Sequence, residues 1–267
     1  MVARLRKNPL AYRTIFSVRD QGRWQMDENH LLELRLKEAN YWWHVNKRQL
    51  VLKFLGSQNI SNRRILEVGC GGGLLSSLLT LAGANVVSTD IFINATQFVK
   101  HRGVTNSLTF DAGGSWPFKN HSFQVVIMLD VLEHIEDDIA CLHEARRVLR
   151  RGGMAVLTVP AHQFLFSSWD KVVGHYRRYS KSLLRLVLRD VGFQPIVISY
   201  YNTLSFLPAL IFRGKDRLFG RQLERAEFPD LPEFVNNCLK WWGRLECALI
   251  PLKLPIGLSF FIVLKSE

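Results

Sequence analysis

The residues best suited to hold a ligand are three glycines, Gly69, Gly71 and Gly73, in the segment ILEVGCGGGLLSSLL. An apolar run with the length of a buried strand precedes them, and an apolar helical pattern follows. Because glycine has no side chain, the backbone N–H groups of such a turn can approach a ligand closely. A dinucleotide-binding GxGxxG fingerprint needs a further glycine, where this chain has leucine or serine. An acidic residue, Glu67, stands just before the turn.

Acidic residues end or follow the next three predicted strands. Asp90 ends NVVSTD, nineteen positions after Gly71, where a carboxylate can accept hydrogen bonds from both hydroxyls of a ribose. Asp111 ends SLTFD, and Asp130 follows FQVVIML. A turn-forming role is the structural alternative for Asp111.

Two histidines are candidates for acid–base catalysis. His134 lies just past the fourth predicted strand, and ligands of parallel sheets bind at the carboxyl ends of strands. His175 lies in GHYRRYS, in the long connection after the fifth strand. The structural alternative for His134 is a residue that opens a helix and bonds to the backbone.

The same connection supplies candidate substrate contacts. Arg177 and the adjacent Arg178 have the fork geometry that holds a carboxylate or a phosphate, and Tyr179 follows them. Trp43, upstream in YWWHVNKRQLV, is a candidate lid residue over the pocket. The alternatives are a solvated arginine face and an aromatic side chain packed in the core.

The elements that must position these residues alternate between strands and helices, which is typical of a parallel α/β sheet. Predicted strands cover residues 64–68, 85–90, 107–111, 123–129, 154–160, 193–201 and 256–265. The clearest predicted helices run from Glu136 to Arg150 and from a Ser180 cap to Gly192. We divide the chain into a basic N-terminal and helical lid segment (1–62), a core (63–201 plus 256–267) and a helical insertion (202–255).

The acid and glycines of ExGxGxG resemble motif I of the class I S-adenosylmethionine-dependent methyltransferases. The GGSWPF stretch after Asp111 resembles their adenine site, and IMLDVLEHIED resembles their substrate-facing motif, with Asp130 near the methionine part of the cofactor. Within that class the chain looks like a poorly characterised bacterial branch of the type 11 methyltransferases. The resemblance implies a doubly wound, Rossmann-like sheet of seven strands with the last strand antiparallel. It implies S-adenosylmethionine as cofactor, bound by Glu67, Gly69, Cys70, Gly71, Gly73, Asp90, Ile91, Asp111, Ala112, Leu129 and Asp130.

We therefore expect transfer of a methyl group, on oxygen in preference to carbon or nitrogen. No PPY or PPF motif follows the fourth strand, which argues against the amino-methylating enzymes that act on DNA bases or glutamine. Nucleic-acid-binding signatures are also absent from the sequence. A small-molecule or lipid-linked acceptor is expected. The alternatives are a catalytically silent scaffold with this fold and a nicotinamide-dependent oxidoreductase.

The charge balance suggests where the protein works. With 35 Lys and Arg against 23 Asp and Glu, the 267-residue chain carries a formal charge of +12. The four cysteines form no CxxC pair, so we expect a reducing cytoplasm and predict no metal site. Basic residues crowd the first 23 positions, and the insertion is rich in aromatic residues. These two features favour peripheral association with an anionic membrane at its inner surface. The oligomeric state is not predicted.

Overall fold

A seven-stranded sheet forms the centre of the computed structural model, which describes residues 28–219 and 228–267. The strands are β1 Arg64–Val68, β2 Asn85–Asp90, β3 Ser107–Thr109, β4 Phe123–Leu129, β5 Leu149–Pro160, β6 Phe193–Tyr201 and β7 Ser259–Ser266. Their order across the sheet is β3-β2-β1-β4-β5-β7-β6. Strands β1 to β5 pair in parallel, and β7 runs antiparallel to both β5 and β6. The predicted fold class is therefore confirmed.

Nine helices surround this sheet in the described ranges. They are α1 Glu28–Lys37, α2 Trp42–Gly56, α3 Leu74–Leu81, α4 Ile93–His101, α5 Asp138–Val148, α6 Ser168–Val172, α7 Lys181–Val191, α8 Phe206–Phe219 and α9 Glu233–Leu249. Three short 3-10 turns cover Leu132–His134, Gln163–Leu165 and Ile250–Leu252. Two helices begin at polar caps: Asp137 accepts from Ala140 N at 3.0 Å, and Ser180, the predicted cap, accepts from Leu183 N at 3.2 Å.

Two apolar cores cover the two faces of the sheet. The central strands β1 and β4 are buried for nearly all of their length, which explains why their sequences are continuous apolar runs without polar alternation. This burial leaves the turns at the carboxyl ends of the strands as the places where polar side chains reach a common opening.

Several predicted boundaries are wrong. The third strand ends at Thr109, so Asp111 lies in the turn beyond it. The helix expected to start at Glu136 covers Asp138–Val148, and β5 begins five residues earlier than predicted. A shift in register between Phe123 and Val125, together with a positive φ of 73° at Gly152, lets the chain enter β5 directly from the helix. The last strand begins at Ser259 rather than at residue 256.

The predicted insertion contains two long helices in its described part. Helix α9 packs on α2, and the approach is so close that a Cβ atom at Gly243 would lie 2.0 Å from the Asn46 side chain. Glu246 of α9 accepts hydrogen bonds from the backbone N–H groups of Asn202 and Thr203, at 2.8 and 2.6 Å, where the chain leaves β6. Residues 1–27, which include the basic N-terminal cluster, and residues 220–227 of the insertion lie outside the described residues. The division of the chain into three segments stays a prediction.

Among the described helices, none has both the length and the apolarity needed to cross a bilayer.

Candidate active site

A cavity of about 1110 Å³ opens at the carboxyl ends of β1, β2, β3 and β4. Eight of the predicted cofactor residues line it: Gly69, Gly71, Asp90, Ile91, Asp111, Ala112, Leu129 and Asp130. Both catalytic candidates, His134 and His175, line the same cavity, and so does Trp43. The structure thus brings residues from four strand ends and two distant connections to one space.

The glycine turn wraps back onto β2. The backbone N–H groups of Gly69 and Cys70 both donate to Thr89 O, at 2.8 and 2.9 Å. Gly69 has a φ of 74°, and a Cβ atom there would lie 2.5 Å from Val131 Cγ2. Glycine at this position is therefore required by both the backbone conformation and the close approach of the turn after β4.

Asp90 holds the turn to the end of β2. Its carboxylate accepts from Gly71 N at 2.9 Å and from Phe92 N at 3.0 Å, and it faces the cavity. Burial raises the pKa of this carboxyl, and the backbone hydrogen bonds, which act to lower the pKa, only partly offset this effect. The position suits a carboxylate that receives the hydroxyls of a ribose.

Glu67 lies beside the glycine turn but does not line the cavity. Its carboxyl accepts a hydrogen bond from Ser76 Oγ in α3, and Ser76 Oγ also contacts Ser88 Oγ. Burial raises the pKa of Glu67 to about 8. Cys70 and Gly73 are also missing from the cavity wall; Gly73 caps α3 with a φ of 82°. Cofactor contact by these three residues therefore stays a prediction.

Asp111 and Ala112 border the cavity from the turn after β3. The exposed Asp111 carboxylate accepts from Gly113 N at 2.8 Å, which is the turn-forming role weighed above. Ala112 O accepts from Trp116 Nε1 at 3.1 Å, so the GGSWPF stretch folds back onto the turn. Asp111 thus has a structural hydrogen bond and a position on the cavity wall.

Asp130 binds a lysine from the N-terminal helices. Its oxygens lie 2.8 Å from Lys47 Nζ and 2.7 Å from Thr158 Oγ1, and its φ is 55°. Burial acts to raise the pKa of Asp130, but Lys47 and the hydroxyl of Thr158 outweigh it, so the pKa lies below its usual value. The charge on Asp130 is thereby kept at the cavity.

A carboxyl and two imidazoles meet at the cavity wall near Asp130. The rings of His134 and His175 have centroids 4.6 Å apart, and His175 Nε2 lies 3.9 Å from Glu133 Oε1. The ligand atoms of all three side chains lie within 4.8 Å of one another. Burial, followed by the nearby Asp130 charge, raises the pKa of Glu133 well above its usual value.

Asp170 orients His175 from behind. Its Oδ1 atom lies 3.0 Å from His175 Nδ1, and Arg178 and Arg213 both pair with the same carboxylate. Burial acts to raise the pKa of Asp170, but these cations and the imidazole hold it far below its usual value. Because Nδ1 donates to Asp170, the Nε2 atom of His175 presents its lone pair to the cavity side.

Aromatic side chains close the cavity next to these charges. Trp43 contacts Trp42 with ring centroids 5.4 Å apart, and Tyr41 contacts Phe228 at 5.4 Å. All four side chains line the cavity. The position of Trp43 agrees with the predicted lid role, and whether it contacts substrate stays a prediction.

Two predicted substrate residues do not line the cavity, and their contact with substrate stays a prediction. Arg177 is buried and pairs with Asp138 at 2.8 Å, while its Nη2 donates to Glu136 O at 2.6 Å. The buried Tyr179 hydroxyl donates to the same Asp138 carboxylate at 2.9 Å. Neither side chain lines the cavity. Both anchor the start of α5, so the arginine that reaches the cavity is Arg178, already paired with Asp170.

Sequence reasoning missed three residues of this site. Lys47 lies in a segment interpreted only as helical, and Glu133 was passed over between the aspartate and the histidine of its motif. Asp170 carried no catalytic role. The sequence did offer a signal for Glu133. This acidic residue lies beside a histidine at the end of a buried strand, and burial of a carboxyl without a partner costs free energy, which disfavours a purely structural role.

Comparisons with known proteins agree with this geometry. Residues 66–157 match a family described as "Methyltransferase domain". These residues form a class I methyltransferase domain. The cofactor of that class is S-adenosylmethionine, as the motifs predicted.

Relatives that match this chain are named as methyltransferases. The chain is 28% identical over 134 residues to a ubiquinone biosynthesis O-methyltransferase of Xanthomonas oryzae pv. oryzae, covering 45% of this chain and 56% of that protein. It is 32% identical over 97 residues to the protein of that name in Cereibacter sphaeroides, covering 35% and 39%. The chain thus spans about half or less of the length of these relatives.

A solved structure shares the fold. The crystal structure of an S-adenosylmethionine-dependent methyltransferase from Archaeoglobus fulgidus aligns with a TM-score of 0.56 and 17% identity, covering 90% of this chain and 100% of that one. The aligned length extends well beyond residues 66–157. The helices around the methyltransferase domain therefore belong to the same fold.

Proposed function

We propose that this protein transfers a methyl group from S-adenosylmethionine to a hydroxyl oxygen of a small or lipid-linked acceptor. One observation carries the proposal: eight of the eleven predicted cofactor residues and the group of Glu133, His134 and His175 line one cavity. Its volume, about 1110 Å³, exceeds the ~300–1,000 Å³ typical of a pocket for one drug-sized ligand, so it offers room for cofactor and acceptor together.

The reaction needs alignment before it needs acid–base chemistry. Methyl transfer from a sulfonium is an in-line displacement, and fixing two reactants in that geometry supplies ~7–11 kcal/mol of the barrier. A hydroxyl acceptor must also lose its proton, for which a positioned base adds ~10²–10⁴-fold. His134 and His175 both line the cavity, which supports a role for one of them as that base. An oxygen acceptor is also favoured by the printed names of the relatives, which are O-methyltransferases.

The proposal is tested by transfer of labelled methyl from S-adenosylmethionine into a cell extract, followed by partition between organic and aqueous phases. Label in the organic phase supports a lipid-linked acceptor, and label in the aqueous phase supports a small soluble one. Cofactor binding without incorporation into either phase would instead support the silent scaffold. Base-stable label would argue against an ester, and mass spectrometry of the product identifies the methylated atom.

We further propose that the insertion docks on an anionic membrane. Helix α9 exposes Phe234, Cys238, Trp241 and Leu245 at helical spacing along one face, and the opposite side of the helix packs on α2. Phe234 and Trp241 are 77% and 62% exposed, which is unusual for large apolar side chains.

Helix α8 adds a second apolar face, formed by Leu207, Leu210 and Ile211, with Phe212 69% exposed beside it. A lipid-linked acceptor would reach the cavity from such a surface. Trp242, in contrast, is not available for docking, because its Nε1 donates to Thr203 Oγ1 and to Glu246 Oε1, at 3.0 and 2.8 Å.

Sedimentation with anionic vesicles tests the membrane proposal. We expect binding that falls in the double variant Phe234→Ser, Trp241→Ser and in high salt, since the cations of the chain contribute. A matched control is Leu36→Ser, which removes an exposed apolar residue of α1 far along the chain from the insertion. Absence of binding to anionic vesicles, or dimerisation through these faces in light scattering, would contradict the proposal.

A further inference from the structure

The Glu133 carboxyl is buried without a hydrogen-bond partner among the described residues. The side chain is 1% exposed, and neither of its oxygens has a hydrogen-bond partner in the described part of the chain. Taking a carboxyl out of water without compensation is costly, so such a group is expected to meet a cation or a donor when the protein works. Glu133 is among the residues that line the cavity, so an ion that enters the cavity needs only a local side-chain movement to reach its oxygens.

Two histidines complete a chelating set with this carboxyl. His175 Nε2 is 3.9 Å from Glu133 Oε1, and the ring of His134 lies against that of His175. The three potential ligand atoms lie within 4.8 Å of one another. Tetrahedral coordination with metal–ligand bonds of ~2.0–2.2 Å places ligand atoms ~3.3–3.6 Å apart, so the longest of these separations must shorten by ~1–1.5 Å, which movement of two side chains by under ~1 Å each supplies.

The hydrogen bonds that hold these side chains in position are also consistent with metal binding. His175 donates its Nδ1 hydrogen to the Asp170 carboxylate at 3.0 Å, which leaves Nε2 as an acceptor on the side of Glu133. Metal-binding histidines are commonly oriented by such a carboxylate. Tyr176 N donates to Glu133 O at 2.8 Å, so the connection that carries His175 is tied to the 3-10 turn that carries Glu133 and His134.

We propose that Glu133, His134 and His175 bind a divalent transition-metal ion at the acceptor end of the cavity. Two of the three ligands are imidazoles, which favour ions such as Zn²⁺ and Co²⁺ over Mg²⁺ or Ca²⁺. Three protein ligands leave a coordination position open, as in catalytic rather than structural metal sites.

The role of the ion rests on the proposed function. The acceptor hydroxyl binds at the open position, where the cation lowers its pKa and its proton passes to water. The oxygen then forms a bond to the methyl carbon as the carbon–sulfur bond breaks, with the electron pair going to sulfur. The products are the methylated acceptor and S-adenosylhomocysteine, and the metal keeps its oxidation state.

Metal binding is measured on the full chain after chelator treatment and dialysis. Zn²⁺ is titrated by calorimetry, and Co²⁺ is followed by the visible absorption that a protein-bound ion develops. We expect one tight site per chain. The same samples are titrated with S-adenosylmethionine, so that loss of the metal site and loss of the cofactor site are distinguished.

Variants assign the site to these residues. We expect Glu133→Gln and His175→Ala each to weaken Zn²⁺ binding at least tenfold, and Asp170→Asn to weaken it ~10–100-fold through the orientation of His175. His143→Gln, at an exposed histidine of α5, is the matched control and should leave binding unchanged. Retained affinity for S-adenosylmethionine shows that each variant is folded.

The outcomes separate the two proposals. Stoichiometric metal binding that these variants abolish supports the site, even if no methyl transfer is found. Methyl transfer that survives chelation, with no tight metal site in the wild-type chain, overturns the inference and leaves Glu133 and the histidines as metal-free acid–base groups. Metal binding that Glu133→Gln and His175→Ala do not change overturns it as well.

Discussion

Arg178 lies 2.8 Å from Asp170, and the two side chains are 4% and 0% exposed. The pair links the residues just before α7 to the short helix α6, within the connection that follows β5. Arg178 also donates to Ala161 O at 3.1 Å, next to the end of β5. Arg178, one of the two adjacent arginines that the sequence pattern assigned to an anionic substrate, is therefore part of the framework that supports His175.

Removal of the carboxylate should destabilise the fold. We expect Asp170→Ala to lower the free energy of unfolding by ~3–5 kcal/mol, because the substitution leaves a buried guanidinium without its counter-ion. Urea denaturation followed by tryptophan fluorescence measures the change. The control is Asp230→Ala, which breaks an exposed pair with Lys37 and should cost under ~1 kcal/mol. Equal effects in the two variants would contradict the structural role of Asp170.

Glu67 should make stability fall with rising pH. Its pKa is raised from 4.5 to about 8 in the folded chain, so between these values the folded chain holds a proton that the unfolded chain has released. The contribution is complete below the lower value and is lost as the pH rises toward the higher one. Glu67→Gln stays neutral and keeps an acceptor for Ser76. The free energy of unfolding is measured for both proteins at about pH 5 and about pH 8.5. We expect it to fall less between these pH values in Glu67→Gln than in the wild type. An equal fall in the two proteins would contradict the burial of an ionisable Glu67.

The two histidines and Tyr179 should differ in their effect on turnover. His134→Ala and His175→Ala remove side chains that face the cavity, so we expect methyl transfer to fall by ~10²-fold or more with cofactor affinity unchanged. Tyr179→Phe removes a buried hydroxyl that donates to Asp138 and to Leu132 O outside the cavity wall, and it should lower stability by ~1–3 kcal/mol without raising the KM for the acceptor. A large KM increase in Tyr179→Phe would support its predicted substrate role instead.

The positions of the strand-end residues were predictable because local sequence sets them. A buried strand followed by glycines fixes the turn at Gly69 and Gly71, and parallel strands place Asp90 and Asp130 at the same edge. The order of the strands came from the family resemblance rather than from periodicity.

The remaining features depend on contacts between distant parts of the chain. Nothing near Arg177 indicates that Asp138, 39 positions earlier, is its partner. The pairing of Lys47 with Asp130 spans 83 positions and depends on how α2 packs against the sheet. Neighbouring residues can also have different roles, since Arg178 reaches the cavity and Arg177 does not. The local pattern shows that such residues are polar, but not which of them is already paired.

The most direct test of the account is calorimetric titration of S-adenosylmethionine into the wild-type chain and into Asp90→Ala. We predict one binding site per chain, weakened by ~1–3 kcal/mol in Asp90→Ala because the substitution strands the hydroxyls and backbone N–H groups that Asp90 would receive. Glu267→Ala, a carboxylate at the exposed end of the chain, is the control and should bind as wild type does. No binding to the wild-type chain, or equal affinity in Asp90→Ala, would contradict the assignment of this cavity to the cofactor.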